Sequence, residues 1–275
     1  MIKPDGESRF AVNNGVRLHY HIRGRGRPVV LLHGFPEYWN VWRHQITDLS
    51  QDYCLIAPDL RGFNLSDKPK GVEQYSAAAV GGDVLTVLDE LGLEKVALVG
   101  HDVGGMIAWW IASYARERID RLALLSAPHP FEYLTARELP RQREASRYFD
   151  RMLNSKDARL DPERLTFWLI DDEERAELEA AIRRSDAEAV ASYYRCNLSP
   201  VSPFLNVDMP RVVCPTLLIY GPDDPYILPD AYSRTDHWVD GPLTVKIVPG
   251  KGHFLHHSAA NTVNAHLREW LGASE

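Results

Sequence analysis

A single aspartate stands between two glycines in the stretch VALVGHDVGG, residues 96–105. The pattern G-x-D-x-G, formed by Gly100, Asp102 and Gly104, follows a short apolar run that is typical of a buried strand. Small residues permit a tight strand-to-helix turn that holds the central side chain above the sheet. The next segment has a helical pattern, so Asp102 would lie at a helix N-terminus, where backbone dipoles favour its anionic form. From this motif alone, Asp102 is either a nucleophile or an ordinary helix cap.

Two stretches farther along the chain offer partners for Asp102. YGPDDPYI supplies Asp223 and Asp224, and VPGKGHFLHH supplies His253. Each stretch follows a predicted strand, and the carboxyl ends of parallel strands meet at one edge of a sheet. The chain order of nucleophile, acid and histidine is that of the α/β-hydrolase triad. One of the two aspartates would then orient His253, and the other would form the turn.

A third stretch, LLHGFPEYW at residues 31–39, supplies the opposite wall of the predicted site. A strand that ends in His-Gly-x-Pro exposes the backbone N–H of Phe35 toward the same edge. Together with the N–H of Val103 it would form an oxyanion hole, in which one donor is worth about 100–1,000-fold in rate. A tight functional turn is also where cis-proline occurs, so we expect a cis peptide bond between Phe35 and Pro36.

The elements that must position these residues alternate between short apolar runs and helical patterns. We predict strands at residues 28–34, 53–59, 95–102, 121–128, 215–221 and 243–250, and helices at 76–93 and 259–271. The alternating stretch RFAVNNGVRLHYHIRG with its central Asn-Gly predicts an antiparallel hairpin on the sheet edge. This order predicts an α/β fold, with a mostly parallel central sheet and helices on both faces.

The alternation stops between about residues 129 and 210, where no clear strand pattern occurs. The middle of this region is charged and helical in pattern, with stretches such as DDEERAELEAAIRRSDAEAVASYYR. We therefore predict a core domain formed by residues 1–128 and 206–275, and a helical cap domain at residues 129–205. Because open α/β sheets bind ligands at the carboxyl edge, the cap would shape the substrate cavity there.

Composition excludes several classes of function. The net charge of −7 over 275 residues argues against binding nucleic acid through a basic surface. No apolar run is long enough to span a bilayer, and the first residues lack the apolar stretch of a secretory signal. The three cysteines have no metal-ligand spacing, so we expect reduced thiols in a cytoplasmic protein without metal or cofactor. The oligomeric state is open, with a homodimer as one candidate.

The chain resembles the epoxide hydrolase branch of the α/β-hydrolase superfamily. The resemblance covers most of the chain, and the matching stretches are HGFPEYWNVWRHQ, APDLRGFNLSDKP, LVGHDVGGMIAWW, SAPHP, YYR, PTLLIYGPDDPY and GKGHFLHH. It implies that the triad acid is Asp224 rather than Asp223. It also implies that Tyr148 and Tyr194 are the two tyrosines of the cap that act on the epoxide oxygen. The implied substrates are a small epoxide and water.

A carboxylate nucleophile suits attack on a saturated carbon, because Asp102 is ionised near neutral pH and needs no prior deprotonation. Attack would give an ester between enzyme and substrate, which water activated by His253 would then hydrolyse. Tyr148 and Tyr194 favour an epoxide, since an opening epoxide needs a proton or a strong hydrogen bond. We assign no role to His256 and His257, and expect them to face solvent or to begin a helix.

Three alternatives differ in chemistry. Haloalkane or haloacid dehalogenases use the same Asp-His-Asp triad, but haloalkane dehalogenases usually carry Trp where this chain has Val103, and fluoroacetate dehalogenases carry arginines just after the nucleophile. Many epoxide hydrolases also have Trp at this position, so Val103 leaves the shape of the pocket open. A hydrolase-fold protein without catalysis would have lost a triad residue, and none is lost here. A serine esterase would need Ser in place of Asp102.

Overall fold

The computed structural model describes residues 6–154, 159–199, 202, 204 and 209–272. The strands are β1 (Glu7–Asn13), β2 (Val16–Arg23), β3 (Arg27–Leu32), β4 (Tyr53–Pro58), β5 (Val96–His101), β6 (Ile119–Leu125), β7 (Thr216–Tyr220) and β8 (Leu243–Ile247). They form one sheet in the order β1-β2-β4-β3-β5-β6-β7-β8. β1 and β2 pair antiparallel with each other, and β2 also pairs antiparallel with β4. The remaining strand pairs of the sheet are parallel.

The hairpin at the sheet edge forms where Asn-Gly predicts it. Asn14 and Gly15 have φ of 48° and 83°, which is the left-handed backbone that a two-residue turn requires. β1 has one neighbour and is largely exposed, so it closes the sheet as an edge strand. In contrast, β5 is buried over its whole length, as expected for a central parallel strand.

Helices cover both faces of the sheet. They are α1 (Arg43–Leu49), α2 (Ala77–Glu90), α3 (Asp102–Tyr114), α4 (Pro130–Ala136), α5 (Pro140–Ala145), α6 (Arg147–Asn154), α7 (Pro162–Leu165), α8 (Asp172–Arg184), α9 (Ala187–Asn197), α10 (Leu255–Ser258) and α11 (Ala260–Gly272). Neighbouring residues of β3 point to opposite faces: Val30 packs in the cluster that contains α2 and α3, whereas Leu31 packs in the cluster that contains α1 and α11. The predicted α/β class is confirmed.

The described residues between β6 and β7 contain helices α4–α9 and no strand. Two side chains of α9 connect this region to the segments that follow β4. The hydroxyl of Tyr193 donates to the carbonyl of Arg61. The side chain of Asn197 accepts from the N–H of Ala77 and donates to the carbonyl of Tyr75. The division into core and cap at residues 128/129 and 205/206 stays a prediction. Within the described ranges, no helix has both the length and the hydropathy to cross a bilayer. Cys54, Cys196 and Cys214 form no disulfide.

A buried ion pair holds α2 against the turn that follows β4. Two nitrogens of Arg61 each lie 2.5 Å from an oxygen of Asp83, and both side chains are at most 5% exposed. We expect Asp83→Ala to lower the free energy of unfolding by about 3–5 kcal/mol, because it leaves a buried guanidinium unpaired. Urea denaturation measures this change. The control is Asp89→Ala in the same helix, which removes an exposed pair with Arg118 and should cost less than about 1 kcal/mol. Equal losses in the two variants would contradict the assignment.

Candidate active site

Asp102 occupies a sharp turn between β5 and α3. Its φ of 49° lies in the left-handed region, which is unfavourable for a residue with a Cβ atom and is concentrated at functional sites. The turn also brings the backbone very close to β3, because a Cβ on Gly104 would lie 2.4 Å from the carbonyl oxygens of Leu32 and His33. The G-x-D-x-G stretch therefore has the strand-turn-helix geometry that was predicted for it.

The loop after β3 holds one oxygen of the Asp102 carboxylate. The backbone N–H of Phe35 donates to Oδ1 of Asp102 at 2.9 Å. Gly34 makes this approach possible, since a Cβ there would lie 2.5 Å from the Cβ of Asp102. The peptide bond between Phe35 and Pro36 is cis. Val103 borders the cavity next to Asp102. The oxyanion-hole role of Phe35 and Val103 stays a prediction.

The structure separates the two aspartates that follow β7. Asp224 is buried, and its Oδ2 lies 2.7 Å from Nδ1 of His253. Its other oxygen accepts hydrogen bonds from the backbone N–H groups of Tyr226 and Ile227, which fixes the carboxylate in place. Asp223 is exposed. The partner of His253 is therefore Asp224, as the resemblance implied.

His253 lies between two carboxylates. Its Nδ1 contacts Asp224, and its Nε2 lies 3.6 Å from Oδ2 of Asp102. Burial by itself would lower the pKa of His253, but the charge of Asp224, its hydrogen bond to His253 and the nearby Asp102 carboxylate raise it to about 10. Burial would likewise raise the pKa of Asp102, but His253, the charge of His101 and the Phe35 N–H hold it below its usual value. Asp102 is thus an ionised carboxylate beside a protonated imidazole.

A second layer of polar residues fixes the loop that carries His253. The carbonyl of His253 accepts a hydrogen bond from Oγ of Ser126 at 2.9 Å and lies 3.1 Å from Nε2 of His101. Nδ1 of His101 lies 2.9 Å from Oε2 of Glu37. Burial would raise the pKa of Glu37, but His101 and His256 hold it well below the usual value. His101 therefore links the carboxylate of Glu37 to the loop that carries His253.

The expectation that His256 faces solvent is wrong. His256 is fully buried in α10, with Nε2 3.1 Å from Oε1 of Glu37, and burial lowers its pKa to about 4. His257 is only partly buried and contacts Glu174 of α8 at 2.7 Å. Both residues do lie in a short helix. Two consecutive helical residues point in different directions, and the sequence HFLHH does not reveal which of them faces the core.

Tyr148 and Tyr194 border the same cavity as Asp102. The cavity has a volume of about 40 Å³, and its described lining residues are Asp102, Val103, Met106, Ser126, Ala127, Pro128, Pro130, Tyr133, Tyr148, Tyr194, Leu198 and Ile227. The rings of Tyr148 and Tyr194 are perpendicular, with centroids 6.2 Å apart. Burial, with a contribution from the charge of Asp102, raises the pKa of both phenols well above 10, so both keep their protons. The structure therefore brings together all five predicted side chains.

Sequence analysis missed three polar residues of this region: Glu37, His101 and Tyr133. The first two lie inside the quoted motifs, since Glu37 is two residues after Phe35 and His101 directly precedes Asp102, but nothing in the residue types says that Glu37 and His101 meet. Tyr133 follows the carboxyl end of β6, which is the edge where ligand-binding residues gather. That position could have indicated Tyr133 as a residue of the site, but Tyr133 lies in the segment assigned to the cap.

The sequence model of the alpha/beta hydrolase fold family matches residues 27–260. Among curated proteins, Epoxide hydrolase 3 of Xenopus tropicalis is 30% identical over 284 residues, which cover 94% of this chain and 76% of that protein. Epoxide hydrolase 4 of Mus musculus is 46% identical over 120 residues, but that match covers 43% of this chain and 33% of the mouse protein.

Solved structures agree with these sequence matches. The crystal structure of a Bacillus megaterium epoxide hydrolase in complex with an inhibitor has a TM-score of 0.88 to this chain at 26% sequence identity. The superposition covers 96% of this chain and 100% of that chain. The family match over most of the chain, the frog relative and this structure lead to one assignment. The chain belongs to the α/β-hydrolase fold family and, within it, to the epoxide hydrolase branch.

Proposed function

We propose that the protein hydrolyses an epoxide to a vicinal diol through an ester on Asp102. The observation that carries this proposal is that the carboxylate of Asp102 and the phenols of Tyr148 and Tyr194 border one small, mostly apolar cavity. A nucleophile alone would suit any saturated electrophile. Two protonated phenols across from it suit an electrophile whose leaving group is a basic oxygen.

In the first step, Oδ2 of Asp102 attacks an epoxide carbon and the carbon–oxygen bond of the ring breaks. Oδ1 remains on the N–H of Phe35, so Oδ2 is the free oxygen. The electron pair of the broken bond stays on the departing oxygen, which takes a proton from one tyrosine and a hydrogen bond from the other. The product is an alkyl ester of Asp102 and one tyrosine phenolate.

In the second step, water attacks the carbonyl carbon of the ester, and Nε2 of His253 takes its proton. Charge then builds on Oδ1, which faces the N–H of Phe35 and lies next to Val103. Collapse of this intermediate breaks the bond to the substrate, and His253 returns its proton to the departing diol oxygen. The carboxylic acid left on Asp102 gives its proton to His253, which restores the ion pair of the resting site, so one epoxide and one water yield one diol.

The charge of Asp102 would set the order of these steps. In the resting site, Asp102 contributes to the raised pKa of His253, and a protonated imidazole cannot act as a base. Formation of the ester removes the charge of Asp102. The pKa of His253 then falls, and the imidazole passes its proton to the tyrosine phenolate. It becomes able to accept a proton from water only after the substrate is attached.

Dehalogenation is the second candidate reaction. A departing halide needs hydrogen-bond donors such as an indole N–H, and no Trp, Asn, Lys or Arg is among the described residues that border the cavity. Trp109, the tryptophan nearest to Asp102 in the sequence, donates its indole N–H to the carbonyl of Ala127. Among the described residues, the site thus offers phenol hydroxyls and no indole donor, which favours the epoxide.

We expect His253→Gln to accumulate the ester, because the variant keeps the nucleophile and loses the base. Intact-protein mass spectrometry after mixing with an epoxide should show an increase equal to the whole substrate mass. A haloalkane would add its mass less one hydrogen halide, so the same measurement separates the two candidate reactions. The control is the double variant Asp102→Asn, His253→Gln, which should form no adduct. An adduct in this control would place the nucleophile elsewhere.

We expect the double variant Tyr148→Phe, Tyr194→Phe to open epoxides at least about 100-fold more slowly, since it lacks both proton donors. Stopped-flow measurement of ester formation isolates this step. Tyr193→Phe is the matched control, because Tyr193 lies beside Tyr194 but its hydroxyl donates to the carbonyl of Arg61. An unchanged rate in the double variant would move the proton donor to another residue.

We expect the pKa of His253 to fall in Asp102→Asn. In the wild-type protein, the imidazole should stay protonated up to about pH 10, well above the ordinary value of 6.5. The stability contributed by this shift is complete below pH 6.5 and is lost as the pH rises through about 10. Removing the charge of Asp102 should lower the midpoint, which nitrogen NMR of labelled histidine can measure. His256 should remain neutral at pH 7 in both proteins. The same midpoint in both would contradict the proposed order of steps.

A further inference from the structure

A third tyrosine borders the cavity beside Asp102. Tyr133 lies in α4, on the wall formed where the chain leaves β6, and its side chain is buried. Tyr148 and Tyr194 come from α6 and α9. Three phenols on three helices therefore surround one carboxylate, although the sequence motifs singled out only two of them.

The hydroxyl of Tyr133 makes no hydrogen bond of normal length and angle with the described residues, although Ser146 and Tyr148 lie close enough to affect its pKa. Its oxygen is inaccessible from bulk solvent. Folded proteins pair the large majority of buried polar side-chain atoms, so each exception needs an explanation. Other buried atoms here also lack a partner, among them the hydroxyl of Tyr232. Tyr133 differs from them because it borders the cavity with Asp102. A ligand in that cavity is the natural partner for its hydroxyl.

The pKa of Tyr133 shows which charged and polar groups interact with its hydroxyl. Burial raises its pKa to about 12, with opposing contributions from Ser146, Arg137 and Tyr148 and a further raising contribution from the charge of Asp102. Tyr133 in turn raises the pKa of Tyr148. The hydroxyl of Tyr133 therefore interacts with the proposed nucleophile, Asp102, and with a predicted proton donor, Tyr148. It stays protonated at every ordinary pH.

We propose that Tyr133 is a third hydrogen-bond donor to the oxygen that leaves the attacked carbon. This inference rests on the proposed epoxide reaction and adds a residue to it. Described residues of the cavity wall include no cation that could neutralise the oxygen as the ring opens. Burial makes proton transfer from a phenol harder, so an additional hydrogen bond to the departing oxygen stabilises the charge that develops while the proton is transferred. Tyr133 supplies the third bond and meanwhile gains the partner that it lacks in the free protein.

Tyr133→Phe tests the proposal because it removes only the hydroxyl. A hydrogen bond to a charged group is worth about 10- to 100-fold in an equilibrium or a rate, so ester formation from an epoxide should slow by that factor. The Tm should stay the same or rise, since the hydroxyl has no hydrogen bond of normal geometry to lose. Tyr193→Phe should show the reverse, with a lower Tm and an unchanged rate, because its hydroxyl is bonded at 2.9 Å. A lower Tm in Tyr133→Phe would reveal a structural partner and overturn the proposal.

A series of epoxides distinguishes a donor from a packing residue. Electron-withdrawing substituents make the departing oxygen less basic, so it needs less help. The rate loss in Tyr133→Phe should then shrink along the series, while hydrolysis of the preformed ester keeps its wild-type rate. An equal loss for every epoxide, or an equal loss in both steps, would assign Tyr133 to packing and overturn the proposal.

Comparison of the wild-type protein with Tyr133→Phe distinguishes failure of this inference from failure of the proposed function. If wild type forms the ester from epoxides and Tyr133→Phe does so equally fast, the third donor is wrong and the proposed function stands. If wild type forms no ester from any epoxide in the series but does form one from haloalkanes, both fail together. Stopped-flow and intact-mass measurements on the two proteins decide between these outcomes.

Discussion

The site depends on keeping a carboxylate ionised beside a small, mostly apolar cavity. A buried charge is costly unless it is paired and hydrogen-bonded. Asp102 meets this condition with a protonated His253 on one oxygen and a backbone N–H of Phe35 on the other. The other ring nitrogen of His253 contacts Asp224. Behind this group, the ring nitrogens of His101 lie within hydrogen-bond distance of Glu37 and of the carbonyl of His253.

This requirement explains why the fold places residues from four strand ends within a few ångströms. Asp102 follows β5, Phe35 follows β3, Asp224 follows β7 and His253 follows β8. Loops are mobile unless something holds them, and here the carbonyl of His253 is held by Ser126 and His101. The parallel sheet thus gives each group a rigid base, and the polar layer behind the triad removes the remaining freedom of the last loop.

Most of the fold and the central triad could be predicted from the sequence, because each depends on local patterns. Apolar runs predicted the parallel strands, Asn-Gly predicted the hairpin, and glycines predicted the turn at Asp102. The buried polar layer could not be predicted in this way. His256 shows why. The sequence of a short helix is the same whether its histidine faces water or Glu37, and only the packing of α10 determines which way the side chain points. Tyr133 was missed for a related reason, since a tyrosine that packs and one that borders a cavity have the same sequence signature.

Asp102 also links the acid and base groups of the site, because its charge acts on both. The same negative charge raises the pKa of His253, Tyr148 and Tyr194. In the proposed reaction, attack on the substrate would neutralise Asp102, and all of these values would fall together. The phenols would become stronger acids as a basic oxygen forms beside them, and the imidazole would become a free base for the water that follows. One bond to carbon would therefore prepare both proton transfers, which a serine nucleophile, neutral before attack, could not do.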